Sequence, residues 1–172
     1  MAQCVDFIRE NLELESNSRI LFFGSSAGGF QAVQMHSRFP GSLFLVNNAQ
    51  FDWSKYHKKF VDTIMRNSHP GISLNELREQ DPSSINALNQ FIELDIPFCG
   101  DYWVNTASKI DYAAQLPVVN DFIANRARLQ NSENLDFATH YYFDTRSGHT
   151  PMPKDKTLTI INNALSRISG GH

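Results

Sequence analysis

The sequence predicts an α/β fold: a three-layer α/β/α sandwich with a mostly parallel sheet. Short apolar runs of strand length alternate with segments whose apolar residues recur at helical spacing, which is typical of a layered sheet. A strand, a helix and a second strand follow one another within residues 20–47, as in a parallel crossover. The length of 172 residues suits one core. We therefore expect a single domain over 1–172, with a helical cap or insertion at 53–95.

The first elements are a helix, a buried strand and a second helix. Apolar residues at helical spacing over 4–12 indicate the first helix, and polar residues then precede an apolar run at 20–23. A Gly/Ser turn at 24–29 leads into a helix at 30–37. A second apolar run at 42–47 completes a strand–helix–strand unit, which predicts parallel pairing of the two strands.

The second half of the chain repeats this alternation. The pattern is helical over 53–91 and is interrupted by prolines. Strand character returns at 102–105, followed by a helical pattern at 112–129. A last strand at 139–143 precedes a closing amphipathic helix at 156–168.

The composition is that of a globular protein, with 41% apolar and 19% charged residues and a net charge of -3. The charges are spread along the chain, so we expect neither a nucleic acid nor a membrane surface as a partner. No apolar run of about twenty residues is present, and charged residues interrupt the first dozen positions, unlike a signal peptide. Cys4 and Cys99 lie far apart, so we expect reduced thiols and a cytoplasmic protein.

The strongest chemical motif is Gly24-Ser25-Ser26-Ala27-Gly28, which fits G-x-S-x-G between a predicted strand and a predicted helix. Such a turn is strained, and its glycines let neighbouring backbone pass without a Cβ clash. We predict Ser26 as a nucleophile and the Ala27 N–H, at the positive end of the helix, as an oxyanion-hole donor. The alternatives are a plain connecting turn or a phosphate-binding loop, although the lysine of a P-loop is absent.

A serine nucleophile needs a base, and His149 is the best candidate among six histidines. It follows the last predicted strand in a Gly-containing loop, which suits the chain order of serine, acid and histidine. We expect surface or packing roles for four others, namely His36, His57, His69 and His140. We assign His172 to the tail. No histidine has a second ligand at metal-binding spacing, so we predict neither a metal nor a cofactor.

The acid that orients the histidine should come from the loop at 105–111, in which Asp111 is the only carboxylate. Asp111 is also suited to cap the following helix, and the sequence leaves both roles open. Asp144 and Asp101 are the alternative acids. An ion pair with Arg146 is the structural alternative for Asp144.

Three segments together look like the α/β-hydrolase superfamily: FGSSAGGF at 23–30, VNNAQFDW at 46–53 and GHTP at 148–151. More narrowly, they resemble esterase-like or O-acyltransferase-like domains of bacterial capsule and surface-glycan biosynthesis. The resemblance implies a serine-dependent ester hydrolase or acyl transferase that acts on a small-molecule or glycan ester. It places the nucleophile on Ser26, an oxyanion donor on Ala27 and the base on His149. Such domains often carry the acid three residues after an asparagine in the acid loop, where this sequence has Ser108.

The chain departs from this family before the Gly/Ser turn. Family members have several strands there, whereas this sequence offers one helix. We therefore expect an unpaired edge on the strand at 20–23 and no loop to supply the usual second oxyanion donor. A fragment, a truncated gene product and half of a homo-oligomer remain open interpretations. The alternative to an enzyme is a non-catalytic hydrolase-like module that binds a glycan or a partner protein.

Overall fold

The computed structural model describes residues 2–11, 20–128 and 135–170. The predicted break after the first helix and the tail residue His172 lie outside the described residues, as does the end of the helix predicted at 112–129. Within these residues lie four strands and eight α-helices. In chain order they are α1 (Ala2–Asn11), β1 (Leu21–Ser25), α2 (Ala27–His36), β2 (Leu43–Asn47), α3 (Lys58–Ser68), α4 (Leu74–Gln80), α5 (Pro82–Ile85), α6 (Asn89–Glu93), β3 (Phe98–Asn105), α7 (Leu116–Arg128), β4 (Leu135–Tyr142) and α8 (Lys154–Gly170).

The four strands form one sheet in the order β1-β2-β3-β4, and every neighbouring pair is parallel. Each strand therefore lies beside its neighbour in sequence, and crossovers of one hand bring their helices to the same face. Residues of α2, α3–α7 and the sheet share the larger hydrophobic core. Helix α8 covers the opposite face, where Leu45 of β2 packs with Met152, Ile160 and Ala164. The predicted three-layer α/β class is confirmed.

The helices between β2 and β3 belong to the core of the sheet. Each of α3, α4, α5 and α6 contributes a buried apolar residue, namely Val61, Leu77, Ile85 and Phe91. A capping box of Ser73 and Glu76 begins α4, which satisfies two N–H groups that a helix start leaves unpaired. Residues of 53–64 also line the cavity beside Ser26, whereas Phe91 of α6 packs on Phe98 at the start of β3.

Strand β3 is longer than the predicted strand at 102–105, because four residues from Phe98 onward also join the sheet. Gly100 lies where β2 passes closely: a Cβ there would be 2.2 Å from the carbonyl oxygen of Phe44. Glycine is needed at this close approach, although in sequence it resembles a turn residue. Strand β4 likewise begins at Leu135, before the predicted start at 139.

Strand β1 lies at one edge of the sheet and, among the described residues, pairs only with β2. Its Phe23 side chain is 43% exposed. This matches the expectation of an unpaired edge on the strand that precedes the Gly/Ser turn. In the described part of the chain, no helix has the length and apolar character needed to cross a bilayer.

Candidate active site

Ser26 occupies a strained turn between β1 and α2. Its backbone angles are φ 54° and ψ -123°, a region that non-glycine residues adopt rarely and at a cost of about 1–3 kcal/mol. The turn is held from several sides: the Ser26 N–H donates to Asn47 O at 3.2 Å, and Ser26 O accepts from Gly29 N at 3.0 Å. This is the geometry expected of a nucleophile elbow, in which the backbone lifts one hydroxyl above the sheet.

The glycines around Ser26 are not equivalent. A Cβ on Gly24 would lie 2.1 Å from Gly28 O, and one on Gly29 would lie 2.5 Å from the Ala49 Cβ. A Cβ on Gly28 would meet nothing within 4 Å. The expectation that both motif glycines prevent a clash is therefore wrong for Gly28, because its Cα faces open space rather than neighbouring backbone.

This difference predicts opposite outcomes for two alanine substitutions. Gly24→Ala forces Cβ into a backbone oxygen that cannot move alone, so we expect a loss of about 3 kcal/mol or more in the free energy of unfolding. Gly28→Ala adds a helix-favouring residue in open space, so we expect between no change and a gain of about 1 kcal/mol. Urea unfolding of both variants measures the difference. Equal stabilities would contradict the assigned close contact.

The structure brings the three predicted side chains Ser26, His149 and Asp111 together. Ser26 Oγ lies 2.7 Å from His149 Nε2, and His149 Nδ1 lies 2.7 Å from Asp111 Oδ1. Asp111 is fully buried, whereas the His149 side chain is 20% exposed. A carboxylate only accepts, so Nδ1 carries the proton and donates to Asp111, and Nε2 is free to accept the Ser26 hydroxyl proton.

Asp111 reaches His149 from a π-helical turn, Asp111–Gln115, in which the Leu116 N–H bonds to Asp111 O. Pro117 follows in α7 and has no N–H, so the ordinary α-helical bond to residue 113 cannot form there. Lys109 and Ile110 are already helical, so Asp111 lies inside the helix and not at its cap. The capping role considered for Asp111 is therefore wrong, because its carboxylate bonds to the His149 ring.

The two alternative acids have other partners. Asp144 accepts hydrogen bonds from the Arg146 N–H at 2.9 Å and the Ser147 hydroxyl at 2.7 Å, which hold its pKa below the usual value. Asp101 is buried and bonds to His140 Nε2 at 2.7 Å and to the Arg167 guanidinium. Both carboxylates have structural partners, and neither bonds to His149.

A cavity of about 350 Å³ opens beside the Ser26 hydroxyl. Its lining residues are Ser26, Ala27, Gln50, Trp53, Tyr56, Phe60, Thr63 and Ile64. The Tyr56 ring lies 5.0 Å from the His149 ring, centroid to centroid, and burial, with the charge of Asp111, raises the Tyr56 pKa. The cavity is mainly apolar and has no charged lining residue, so it suits an uncharged group next to the Ser26 hydroxyl.

No protein-family model matches the chain, and no curated protein matches its sequence. Among solved structures, the chain is similar to a carboxylesterase from the ammonia-oxidizing thaumarchaeon Nitrososphaera gargenis. The identity is 12%, the TM-score is 0.48, and the match covers 98% of this chain and 72% of that chain. The likeness concerns the fold alone, and the chemistry below rests on the side chains of this chain.

Asn105, at the end of β3, holds the loop that carries His149. Its amide donates to Asp144 O at 2.7 Å and to Gly148 O at 2.8 Å, and its Oδ1 accepts from the Asp144 N–H at 3.0 Å. The side chain is fully buried, so each of these bonds satisfies a group that water does not reach. Gly148 directly precedes His149, and the position of the imidazole therefore depends on Asn105.

Two asparagines at the end of β2 extend this support. Asn48 donates to Thr150 O at 3.2 Å, and Asn47 Oδ1 accepts from the Met152 N–H at 2.8 Å. These roles were not predicted from the sequence. The available signal was their position: polar side chains that follow neighbouring parallel strands meet at the carboxyl edge of the sheet.

Gln50 also contacts Ser26, which was not predicted from the sequence. Its Nε2 donates to Ser26 Oγ at 3.1 Å, and its backbone N–H donates to Ser26 O at 3.1 Å. Ala27 is the first residue of α2, so its N–H has no acceptor within the helix, as the oxyanion prediction requires. Two N–H donors, from Ala27 and Gln50, therefore border Ser26.

Among the described histidines, His149 alone hydrogen-bonds to Ser26. Burial lowers the pKa of His36 to about 4; its Nε2 accepts from the Cys99 N–H, so its Nδ1–H donates to Ser42. His140 stacks on Trp103 with ring centroids 4.3 Å apart. His57 and His69 flank the two ends of α3. In the described part of the chain, no group of three or more potential ligands is arranged to hold a metal ion.

Proposed function

We propose that the chain is a serine-dependent ester hydrolase or acyl transferase, with Ser26 as nucleophile, His149 as general base and acid, and Asp111 as the orienting carboxylate. The observation that carries this proposal is the continuous hydrogen-bonded series Asp111–His149–Ser26 at the mouth of an apolar cavity. The strained turn at Ser26 adds support, because strain of this kind is characteristic of nucleophile elbows.

The reaction proceeds in two steps. Ser26 Oγ attacks the ester carbonyl carbon while its proton passes to His149 Nε2, and the carbonyl π electrons move onto oxygen. The tetrahedral intermediate collapses, the bond to the leaving oxygen breaks, and His149 returns the proton to that oxygen. Water or an acceptor hydroxyl then attacks the Ser26 ester by the same sequence. Asp111 keeps the Nδ1 proton in place and stabilises the imidazolium that forms.

The cavity favours an uncharged acyl or alcohol group. Tyr56, Phe60 and Ile64 provide apolar surface, which can pack on an acyl chain or on the apolar face of a sugar. Transfer to a sugar hydroxyl would agree with the narrower resemblance to O-acyltransferase-like domains of glycan biosynthesis. Turnover of an acylated sugar, with and without a second sugar as acceptor, separates hydrolysis from transfer.

A fluorophosphonate probe tests the proposal directly. The probe phosphonylates a serine only when a base and an oxyanion site activate it. We expect one label per chain, located on the peptide that contains Ser26, and no label after heat denaturation. Short-chain nitrophenyl esters should be hydrolysed by the unlabelled protein and not by the labelled protein. A folded protein that neither labels nor hydrolyses these esters would contradict the proposal and favour the alternative of a non-catalytic binding module.

A further inference from the structure

Gln50 is tied to the nucleophile by both its backbone and its side chain. The loop after β2 places its backbone N–H 3.1 Å from Ser26 O and its side-chain Nε2 3.1 Å from Ser26 Oγ. The residue is only 6% exposed. The backbone bond fixes the origin of the side chain, so the amide is held beside the hydroxyl before any substrate binds.

The direction of the side-chain bond follows from its chemistry. An amide nitrogen can only donate, so Ser26 Oγ accepts from Gln50 and must donate its own hydrogen to His149 Nε2, 2.7 Å away. The amide therefore sets the orientation of the Ser26 hydroxyl that proton transfer requires. It also places a partial positive charge next to the oxygen at which negative charge begins to develop.

Nε2 carries a second N–H, which has no acceptor among the described residues. Gln50 and Ala27 both line the cavity that opens at Ser26. A carbonyl attacked by Ser26 Oγ must come to within bonding distance of that oxygen, and its own oxygen then lies among the donors that surround it. Ala27 supplies one such donor from the backbone of α2.

We propose that Gln50 is a catalytic residue whose side-chain amide is the second oxyanion-hole donor; this rests on the proposed ester chemistry at Ser26. In the tetrahedral intermediate, a bond joins Ser26 Oγ to the carbonyl carbon, the former π pair resides on the carbonyl oxygen, and the proton is on His149. The Ala27 N–H and a Gln50 Nε2–H donate to that oxygen. When the intermediate collapses, the pair returns to the carbonyl and His149 protonates the departing oxygen.

Two substitutions at Gln50 test this role. Gln50→Met keeps the length and removes the donors, and we expect kcat for a nitrophenyl ester to fall about 10²–10³-fold with KM within about threefold. Gln50→Glu puts a carboxylate beside the oxyanion, and we expect a larger fall in kcat. Binding of a boronic acid, which forms a tetrahedral adduct on the serine, should weaken in the same order. Both quantities are expressed per folded molecule, so a merely structural role would lower the free energy of unfolding of the two variants and leave kcat and the boronate affinity unchanged.

Gln34→Met is the matched control. Gln34 is as buried as Gln50, and its amide donates to Ser83 O at 2.8 Å, away from the site. We expect lower stability and unchanged kcat per folded molecule. If one Gln50 variant does not fold, as judged by circular dichroism, the kcat and the boronate affinity of the other variant decide whether Gln50 is an oxyanion donor.

The outcomes separate the two proposals. An unsubstituted protein that neither hydrolyses esters nor reacts with the fluorophosphonate would overturn both. The role of Gln50 would be overturned, and the ester chemistry left intact, by a second result. In that result the unsubstituted protein is active, and the Gln50→Met variant keeps kcat within threefold or changes only in KM.

Discussion

Replacement of Ser26 by alanine is expected to lower kcat for a short-chain ester about 10⁵–10⁶-fold, to the level that the cavity and the oxyanion donors alone sustain. The reason is that Ser26 Oγ forms the acyl bond in the proposed mechanism, and no other hydroxyl bonds to His149 among the described residues. We expect the free energy of unfolding to change by no more than about 1 kcal/mol, because the backbone bonds of the turn remain. Steady-state kinetics and urea unfolding of the same preparation measure both quantities.

Ser25 provides the adjacent control. Its Oγ is buried and has no hydrogen-bond partner within the described residues. Ser25→Ala removes an unsatisfied polar atom, so we expect equal or greater stability and kcat within threefold of the unsubstituted protein. Equal losses of activity in Ser25→Ala and Ser26→Ala would contradict the assignment, because they would indicate a perturbed turn rather than a lost nucleophile.

The parts of the site that could be predicted from the sequence are those encoded locally. The Gly/Ser turn lies between a strand and a helix that are contiguous with it, so its geometry follows from neighbouring residues. His149 could be selected because chain order and a Gly-containing loop favoured it. Asp111 could not be separated from a helix cap. That distinction depends on the π-helical turn before Pro117, which turns the carboxylate toward a ring 38 residues away.

The parts that could not be predicted depend on contacts between distant segments. Gln50 lies 24 residues after Ser26, and nothing within its own segment distinguishes it from an ordinary loop amide. Asn105 acts on carbonyls 39 and 43 residues away, which only the parallel pairing of β3 with β4 brings near. Gly100 and Asp101 interrupt the apolar pattern of β3, because a close strand approach and an ion pair between the buried Asp101 carboxylate and an exposed arginine replace side-chain packing there.

Substitution of Asp111 by asparagine should separate catalysis from stability. Asp111 Oδ1 accepts from His149 Nδ1, while Oδ2 is buried without a hydrogen-bond partner among the described residues. An amide that donates to Nδ1 moves the imidazole proton to Nε2, and Nε2 then cannot accept the Ser26 proton. In addition, an uncharged side chain no longer stabilises the imidazolium. We expect kcat to fall about 10⁴-fold, as in triads whose carboxylate is replaced by an amide.

Stability should respond differently to the same change. A buried carboxylate that has one hydrogen-bond partner has lost its hydration, and the single bond restores only part of that free energy. A neutral side chain of the same size removes this buried charge at little cost. We therefore expect an equal or higher melting temperature for Asp111→Asn. Asp144→Asn is the control, because the Asp144 side chain bonds only to its own loop. We expect its kcat to stay within threefold of that of the unsubstituted protein. If Asp144→Asn is the inactive variant, Asp144 is the acid, and its loop must rearrange to bring the carboxylate to His149. If neither variant loses activity, His149 works without a carboxylate.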